Sequence, residues 1–411
     1  MKLLILSNGH GEDAIAARIA EQIQLTNNPP ELAILPLVGE GHAYDELNIP
    51  VIGAVQKMPS GGFIYMDSRE LLKDLKGGLL QLTLKQYQAI QQWAKDGGKI
   101  LAVGDIVPLI FAWMSGAEYG FVGTAKSEYY LRDKNGWLTS TPWFARQLGS
   151  DYYPWERWLM SRPNCKAVFP RDEITANNLQ QFSIPAFDLG NPMMDGLGIN
   201  TELPKNKPEQ LTILLLPGSR SPEAERNWQV ILQAVQGILE QFQDQSLCFL
   251  AAIAPSLDLK PLQQALIAQK WQSIPLVPEN NLLNDVEAKV FQQKQSKLIL
   301  SQRSYGTCLN LADLAIAMAG TATEQFVGLG KPVFSLPGTG PQFTPAFAQR
   351  QTYLLGKSVT LLSQPSEVAQ ALKLLLNNPE KRLAIAENGK KRLGKPGAAA
   401  RIAHCLREIW G

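Results

Sequence analysis

Long apolar runs are missing from this sequence. The longest, such as Leu211–Leu216 and Leu247–Ala254, fall far short of the roughly 20 residues a helix needs to cross a bilayer, so no spanning segment is expected. At the N-terminus only Leu3–Leu6 follow the single Lys2 before polar residues begin, which is too short for the apolar stretch of a secretory signal. Cysteine is scarce. Cys165, Cys248, Cys308 and Cys405 stand far apart with no Cys-x-x-Cys pair, which argues against a disulfide framework or a zinc site and for reduced thiols in the cytoplasm. The three histidines, His10, His42 and His404, are too few and too scattered for a ligand set, so no metal is expected. Excess charge is absent as well. The 39 basic and 37 acidic side chains leave +2, and that balance gives no reason to expect nucleic acid as a partner.

What is present is the composition of a soluble globular chain, 45% hydrophobic and 18% charged over 411 residues, long enough for two or three compact units. From the N-terminus, Lys2–Leu6 reads as a buried strand and Ile15, Ile19 and Ile23 place one apolar stripe on a helix. Further candidate strands are Leu32–Leu37, Val51–Ala54, Ile100–Val103, Tyr119–Val122 and Ala167–Phe169. Their alternation with polar or helical stretches predicts a parallel sheet covered on both faces. Asn200–Gln210, with Pro204 and Pro208 and no periodicity, reads as a linker. A second series follows: a strand at Leu211–Leu216, a helix marked by Trp228, Leu232, Val235, Leu239 and Phe242, and strands at Leu247–Ile253, Leu298–Leu300, Leu314–Ala317 and Val333–Leu336. From Gly394 onward, Ile402, Leu406 and Ile409 form a last helical stripe.

In open α/β sheets ligands sit beyond the carboxyl ends of the strands, where helix N-termini and free N–H groups gather. After Leu211–Leu216 comes Pro217-Gly218-Ser219-Arg220. Gly218 lets the backbone approach an anion, Ser219 adds a hydroxyl and Arg220 offers a planar fork for phosphate oxygens. The loop reads either as a diphosphate cradle or as a tight turn with an exposed arginine; it lacks Walker A spacing. After Leu314–Ala317 comes Ala319-Gly320-Thr321-Ala322-Thr323-Glu324, in which small and hydroxyl residues at a helix start suit a phosphate and Glu324 suits ribose hydroxyls. Thr321 and Glu324 also have the spacing of a capping box. Gly338–Phe343 is either a pocket-closing loop or an ordinary turn.

In the first half, Gly9-His10-Gly11-Glu12-Asp13-Ala14 matches the loose dinucleotide fingerprint Gly-x-Gly-x-x-Ala, but no acidic residue ends the next strand as that site requires. Gly104-Asp105 ends a candidate strand; its carboxylate either faces the cleft between units as a general base or merely terminates the strand. Tyr119–Trp158 holds 11 of the chain's 33 aromatic residues, and between Lys126 and Arg171 there are eight basic residues against four acidic. That mixture suits a membrane interface, or else a large core cluster with surface charges.

Several of these stretches, taken in order, resemble the lipid A disaccharide synthase group of glycosyltransferases, and in particular its cyanobacterial and plastid relatives. They are Gly104-Asp105, Val168-Phe169-Pro170, Leu189-Gly190-Asn191-Pro192-Met193-Met194-Asp195, Leu216-Pro217-Gly218-Ser219-Arg220 through Glu223, Ala319–Glu324 and Gly330-Lys331-Pro332. The resemblance implies an α/β fold of GT-B type, two facing Rossmann-like doubly wound parallel-sheet domains with a cleft between them. Residues 1–195 would bind the acceptor, 196–210 would link, 211–393 would bind the nucleotide sugar, and 394–411 would return as a helix to the first domain. It further implies a UDP-sugar as donor substrate, no cofactor, and metal-independent inverting transfer to a lipid or lipid-linked acceptor by an enzyme peripheral on the cytoplasmic membrane face. The segment 119–171 would then touch that surface.

By position, Asp105 matches the family's essential aspartate and Arg220 its essential arginine, while Thr321, Thr323 and Glu324 match donor-contacting positions. Gly218, Ser219, Gly320 and Ala322 would complete the diphosphate site. Gly9, Gly11, Glu12 and Asp13 would form the acceptor-side loop, with His10 the rival of Asp105 as base. The family's loop is usually Gly-Glu-Ala-Ser-Gly-Asp, whereas Gly9-His10-Gly11 is more similar to glycosyltransferases that make the peptidoglycan lipid intermediate or plastid galactolipid. Two rivals use the same scaffold: a UDP-sugar 2-epimerase, and a non-catalytic nucleotide- or lipid-binding relative.

Overall fold

The computed structural model describes residues 1–56, 79–198, 210–277 and 282–411. Most of the expected linker, residues 199–209, lies outside them. The chain forms two compact units, one made of Met1–Asp195 with Gly394–Gly411 and the other of Gly196–Leu393.

Unit 1 contains β1 (Lys2–Ser7), α1 (His10–Gln24), β2 (Glu31–Pro36), α2 (Leu79–Lys95), β3 (Lys99–Gly104), α3 (Ile106–Met114), β4 (Tyr119–Gly123), the short hairpin β5 (Arg132–Asp133) and β6 (Gly136–Trp137), α4 (Trp143–Leu148), α5 (Pro154–Met160), β7 (Cys165–Phe169) and α6 (Glu173–Gln180). Its five-stranded sheet runs β2-β1-β3-β4-β7, all parallel. Leu3–Leu6 and Ile100–Val103 are fully buried, as continuous apolar strands covered on both faces must be. Ile15, Ile19 and Ile23 turn the buried face of α1 inward. The expected strand Val51–Ala54 reduces to a single bridge from Val51 to Ile34, because Gly53 turns the chain away at φ 75°. From β1 the chain steps one way to β2 and then returns on the other side through β3, β4 and β7. The sheet therefore reverses direction between β1 and β3, the place where such folds open a crevice for ligands.

Unit 2 begins with β8 (Thr212–Leu216) and α7 (Glu223–Gln241), then β9 (Cys248–Ala252), α8 (Leu259–Ala268), β10 (Gln272–Ile274), β11 (Lys289–Gln293) and β12 (Ser296–Ser301). It continues with α9 (Tyr305–Leu311), β13 (Leu314–Ala317), α10 (Thr321–Gly328), β14 (Val333–Ser335), α11 (Pro345–Leu355), β15 (Val359–Leu361), α12 (Val368–Leu376) and α13 (Pro379–Leu393). The eight strands run β10-β11-β12-β9-β8-β13-β14-β15. The sheet is mixed rather than wholly parallel as expected, since β10 and β11, and β11 and β12, pair antiparallel. β10 buries none of its residues and β11 only the adjacent Val290 and Phe291, so neither carries a long apolar run to read. Trp228, Leu232, Val235 and Leu239 bury the α7 stripe in the core. The reversal of direction falls between β8 and β13.

The last helix, α14 (Ala398–Trp410), packs along α1 within unit 1. Asp195 receives the N–H groups of Gly397 and Ala398 on Oδ1 and of Ala399 on Oδ2, supplying the cap its N-terminus lacks locally. Arg401 donates to the Leu189 carbonyl, and Arg18 of α1 to those of Pro192 and Met193. The motif Leu189–Asp195 is thus where both helices are fastened.

Candidate functional site

In unit 1 the reversal point is lined by the segments after β1, β3 and β4. Gly104 has φ 136°, and a Cβ there would stand 2.1 Å from Asn8 Oδ1, so only glycine lets Asn8 lie against this strand end. Asp105 Oδ1 accepts the N–H of Val107 at 2.9 Å, which caps α3, and the Asn8 amide at 2.7 Å. Both hydrogen bonds fall on Oδ1. Burial pushes the Asp105 carboxyl above its ordinary value, while Val107, Asn8 and the charge of Lys126 pull it back. Lys126 is itself held by Glu156 at 2.5 Å and lies over the Tyr153 ring at 3.9 Å. Asp105 is therefore both a helix cap and a half-buried carboxylate at the reversal point.

The expected acceptor-side loop is in fact the first turn of α1, with Gly9 as its N-cap. His10 opens the helix; its side chain lies outside the described residues. Gly11 is exposed and Glu12 half-buried. Burial, then the charges of Asp105 and Asp13, push the Glu12 carboxyl up against the pull of its backbone hydrogen bond, and Thr124 reaches it at 3.4 Å. Asp13 corrects the expectation. It is buried and accepts the Ser7 hydroxyl at 2.5 Å, and Ser7 in turn accepts the Tyr44 hydroxyl at 2.7 Å. Burial drives its carboxyl up to about 6, and a side chain turned into the core cannot meet an acceptor.

In unit 2 the reversal point brings together the loops after β8 and β13, strands that pair Leu216 with Ala317. Gly218 has φ 101°, and a Cβ there would meet the Met318 carbonyl at 3.4 Å, so the two loops lie side by side. Ser219 is exposed and Arg220 half-exposed. Burial lowers the Arg220 guanidinium somewhat, and the neighbouring Glu223 charge opposes that. Glu223 accepts the N–H groups of Gln342 at 3.3 Å and Phe343 at 2.6 Å, which ties the Gly338–Phe343 loop down beside Arg220. Gly320 is the N-cap of α10 and makes no side-chain cap. Hence the expected capping box does not form: Thr321 is already inside the helix, exposed, with Ala322 half-buried after it. Thr323 is also a correction, because its buried hydroxyl donates to the Ala319 carbonyl at 2.6 Å, a back-bond common in helices. Glu324 is buried in the same turn.

Two residues that motif spacing did not reveal hold these loops. Asn227 donates to the carbonyls of Pro217 and Met318 at 3.0 and 3.4 Å, and Gln351 to those of Ala319 and Gly320 at 3.1 and 3.3 Å. Both are single amides on amphipathic helices, with no local pattern to mark them.

The aromatic segment divides. Tyr119, Phe121, Tyr129 and Tyr152 are core residues, whereas Trp143, Phe144, Tyr153, Trp155 and Trp158 are exposed on α4 and α5 or just before α5. Tyr153 stacks on Trp155, and Trp158 meets Trp113 of α3 edge-on. Part of the basic excess is spent internally, on Lys126–Glu156 and Arg132–Glu128 pairs. Among the described residues no helix is long and apolar enough to cross a membrane, and no group of three or more His, Cys, Asp or Glu is placed to hold a metal.

Two α/β units, each with its ligand-type loops at a point of strand reversal, define a protein of the GT-B fold. Solved structures bear this out across the whole chain. UDP-GlcNAc 2-epimerase from Neisseria meningitidis bound to UDP-GlcNAc matches 99% of this chain and 100% of its own at 17% identity and a TM-score of 0.54. UDP-GlcNAc 2-epimerase from Methanocaldococcus jannaschii matches 99% and 100% at 17% and 0.56. MurG from Acinetobacter baumannii matches 100% of both chains at 11% and 0.54. In sequence, the chain is 28% identical over 176 residues to lipid-A-disaccharide synthase from Acinetobacter baylyi, a stretch spanning 41% of this chain and 39% of that relative. No family model matches.

Proposed function

We propose that the protein is an inverting glycosyltransferase that takes a sugar from a UDP-sugar to a lipid or lipid-linked acceptor at the cytoplasmic face of a membrane. The observation that carries this is the pairing of the Pro217–Arg220 and Ala319–Thr321 loops at the reversal point of unit 2. There Arg220 and the uncapped start of α10 supply positive charge for a diphosphate. In this reading Asp105 takes the proton from the acceptor hydroxyl as its oxygen bonds to the anomeric carbon. The bond from that carbon to the diphosphate breaks, and UDP leaves with the electron pair. Arg220 and the N–H groups of the α10 start stabilise the charge on the leaving diphosphate, which is greatest in the transition state. Asp105 Oδ1 is engaged by Val107 and Asn8, so Oδ2 is the oxygen to receive the proton. Charge that a metal would otherwise provide comes here from Arg220 and the helix. The exposed tryptophans of α4 and α5 support delivery of the acceptor from a lipid surface.

UDP is expected to raise the thermal unfolding temperature, since a ligand of the folded form stabilises it. Arg220→Ala should weaken UDP by about 10- to 100-fold, the worth of a charge-assisted hydrogen bond. Asp105→Asn should abolish transfer while UDP binding persists. Unchanged UDP affinity in Arg220→Ala removes the diphosphate assignment, and full transfer activity in Asp105→Asn removes the base.

A second reading, a UDP-sugar 2-epimerase, is favoured by the carboxyl pair Glu12 and Asp105, both pushed up by burial, as proton abstraction from a sugar carbon requires. Incubation with UDP-N-acetylglucosamine and no acceptor separates the two, because only the epimerase converts it.

A further inference from the structure

We infer that Asn227 and Gln351 are positioning residues that turn four backbone N–H groups toward a diphosphate. The inference rests on the nucleotide-sugar reading but concerns residues outside it. Asn227, four residues into α7, and Gln351, in α11, are 2% and 3% exposed. Between them their amides donate to the carbonyls of Pro217, Met318, Ala319 and Gly320. The only cis peptide bond among the described residues is Ser221–Pro222, so each of those four carbonyls belongs to a trans peptide. In a trans peptide the next N–H points opposite to the carbonyl. Fixing the four oxygens toward the interior therefore directs the N–H groups of Gly218, Ala319, Gly320 and Thr321 the other way. Among the described residues, no protein acceptor takes up any of these four N–H groups. Met318 donates its N–H to the Leu216 carbonyl at 2.9 Å, so the loops after β8 and β13 run side by side and their free N–H groups form the kind of concavity that binds anions.

Gln351 Oε1 is buried and has no hydrogen-bond partner, so the side chain carries the cost of an unsatisfied acceptor in order to hold its amide on the two carbonyls. If Gln351 served packing alone, an apolar residue of the same length would fill the space without an orphaned acceptor. Its amide is spent on the Ala319 and Gly320 carbonyls, which also accept the Thr323 hydroxyl and the first N–H groups of α10, and so fixes the peptide planes at the start of that helix.

The test compares UDP, uridine and inorganic pyrophosphate by titration calorimetry on the full chain, in wild type, Gln351→Met and Asn227→Ala. Both variants remove the amide, and circular dichroism with thermal unfolding checks that each is folded. Should Asn227→Ala fail to fold, Gln351→Met decides alone. UDP and pyrophosphate are expected to bind about tenfold more weakly in the variants, the equivalent of one hydrogen bond, with uridine unchanged. Gln351→Glu, which keeps the shape but presents no amide donor, should behave like Gln351→Met. An equal loss for uridine and UDP, or no loss for either, overturns the inference. Wild type that binds pyrophosphate but not UDP sinks the nucleotide reading and leaves the positioning role to the variants' pyrophosphate affinities. Wild type that binds none of the three overturns both.

Discussion

Asp13 shows how a single residue records its surroundings. Its ordinary value is 3.8 and burial raises it to about 6, so the folded chain holds the proton more tightly than the unfolded one. Stability from this group is thus fully present below about 4 and is lost as pH rises through about 6, a loss of about 3 kcal/mol. Asp13→Asn retains an acceptor for Ser7 and removes the ionisation. Urea unfolding at a series of pH values should show the variant gaining on wild type by up to about 3 kcal/mol between pH 4 and pH 7. A constant difference would mean the carboxyl titrates as it does in water. The inward turn of Asp13 was partly legible: it lies three and four residues before Ala16 and Ala17, on the buried face of α1. A motif match to Gly9–Ala14 passed over that phase. Thr323 was missed for the opposite reason, since a hydroxyl's choice between a ligand and the carbonyl four residues back leaves no trace in spacing.

Among elements, α14 was legible as a helix from Ile402 and Leu406, both buried, whereas its cap was not. Asp195 stands about 200 residues earlier in the chain, and only the folded structure brings it to Gly397–Ala399. Removing that carboxylate leaves helix N–H groups without their acceptor, so Asp195→Ala should cost about 1–2 kcal/mol in chemical unfolding. An unaltered midpoint would show that water replaces it. The parallel strands of both sheets were readable because burial on two faces demands unbroken apolar runs, as in Leu3–Leu6 and Ile213–Leu216. The edge strand β10 and its neighbour β11 were not, for strands this exposed obey no such demand. Loop positions followed from the strands, which is why Gly104-Asp105, Pro217–Arg220 and Ala319–Thr321 could be singled out, while the amides of Asn227 and Gln351 could not.

At the scale of the molecule, the near-neutral charge of +2 conceals an aromatic surface on one unit. Exposed Trp143, Trp155 and Trp158 give that surface an amphipathic character suited to lipid headgroups. Sedimentation with vesicles containing anionic phospholipid should carry down wild type, and the combined substitution of Trp143→Ala and Trp155→Ala should reduce the bound fraction several-fold, with UDP affinity intact. Equal sedimentation of both proteins would assign these rings to another purpose.

The return of α14 to unit 1 makes unit 2 an insertion within it. During synthesis, therefore, the first 195 residues emerge without the helix that covers α1 and wait for the whole of unit 2. At ribosomal speeds of about 5–20 residues per second that delay is roughly 10–40 s. Unit 2, contiguous in the chain, is therefore fully synthesised before the last segment of unit 1 is made.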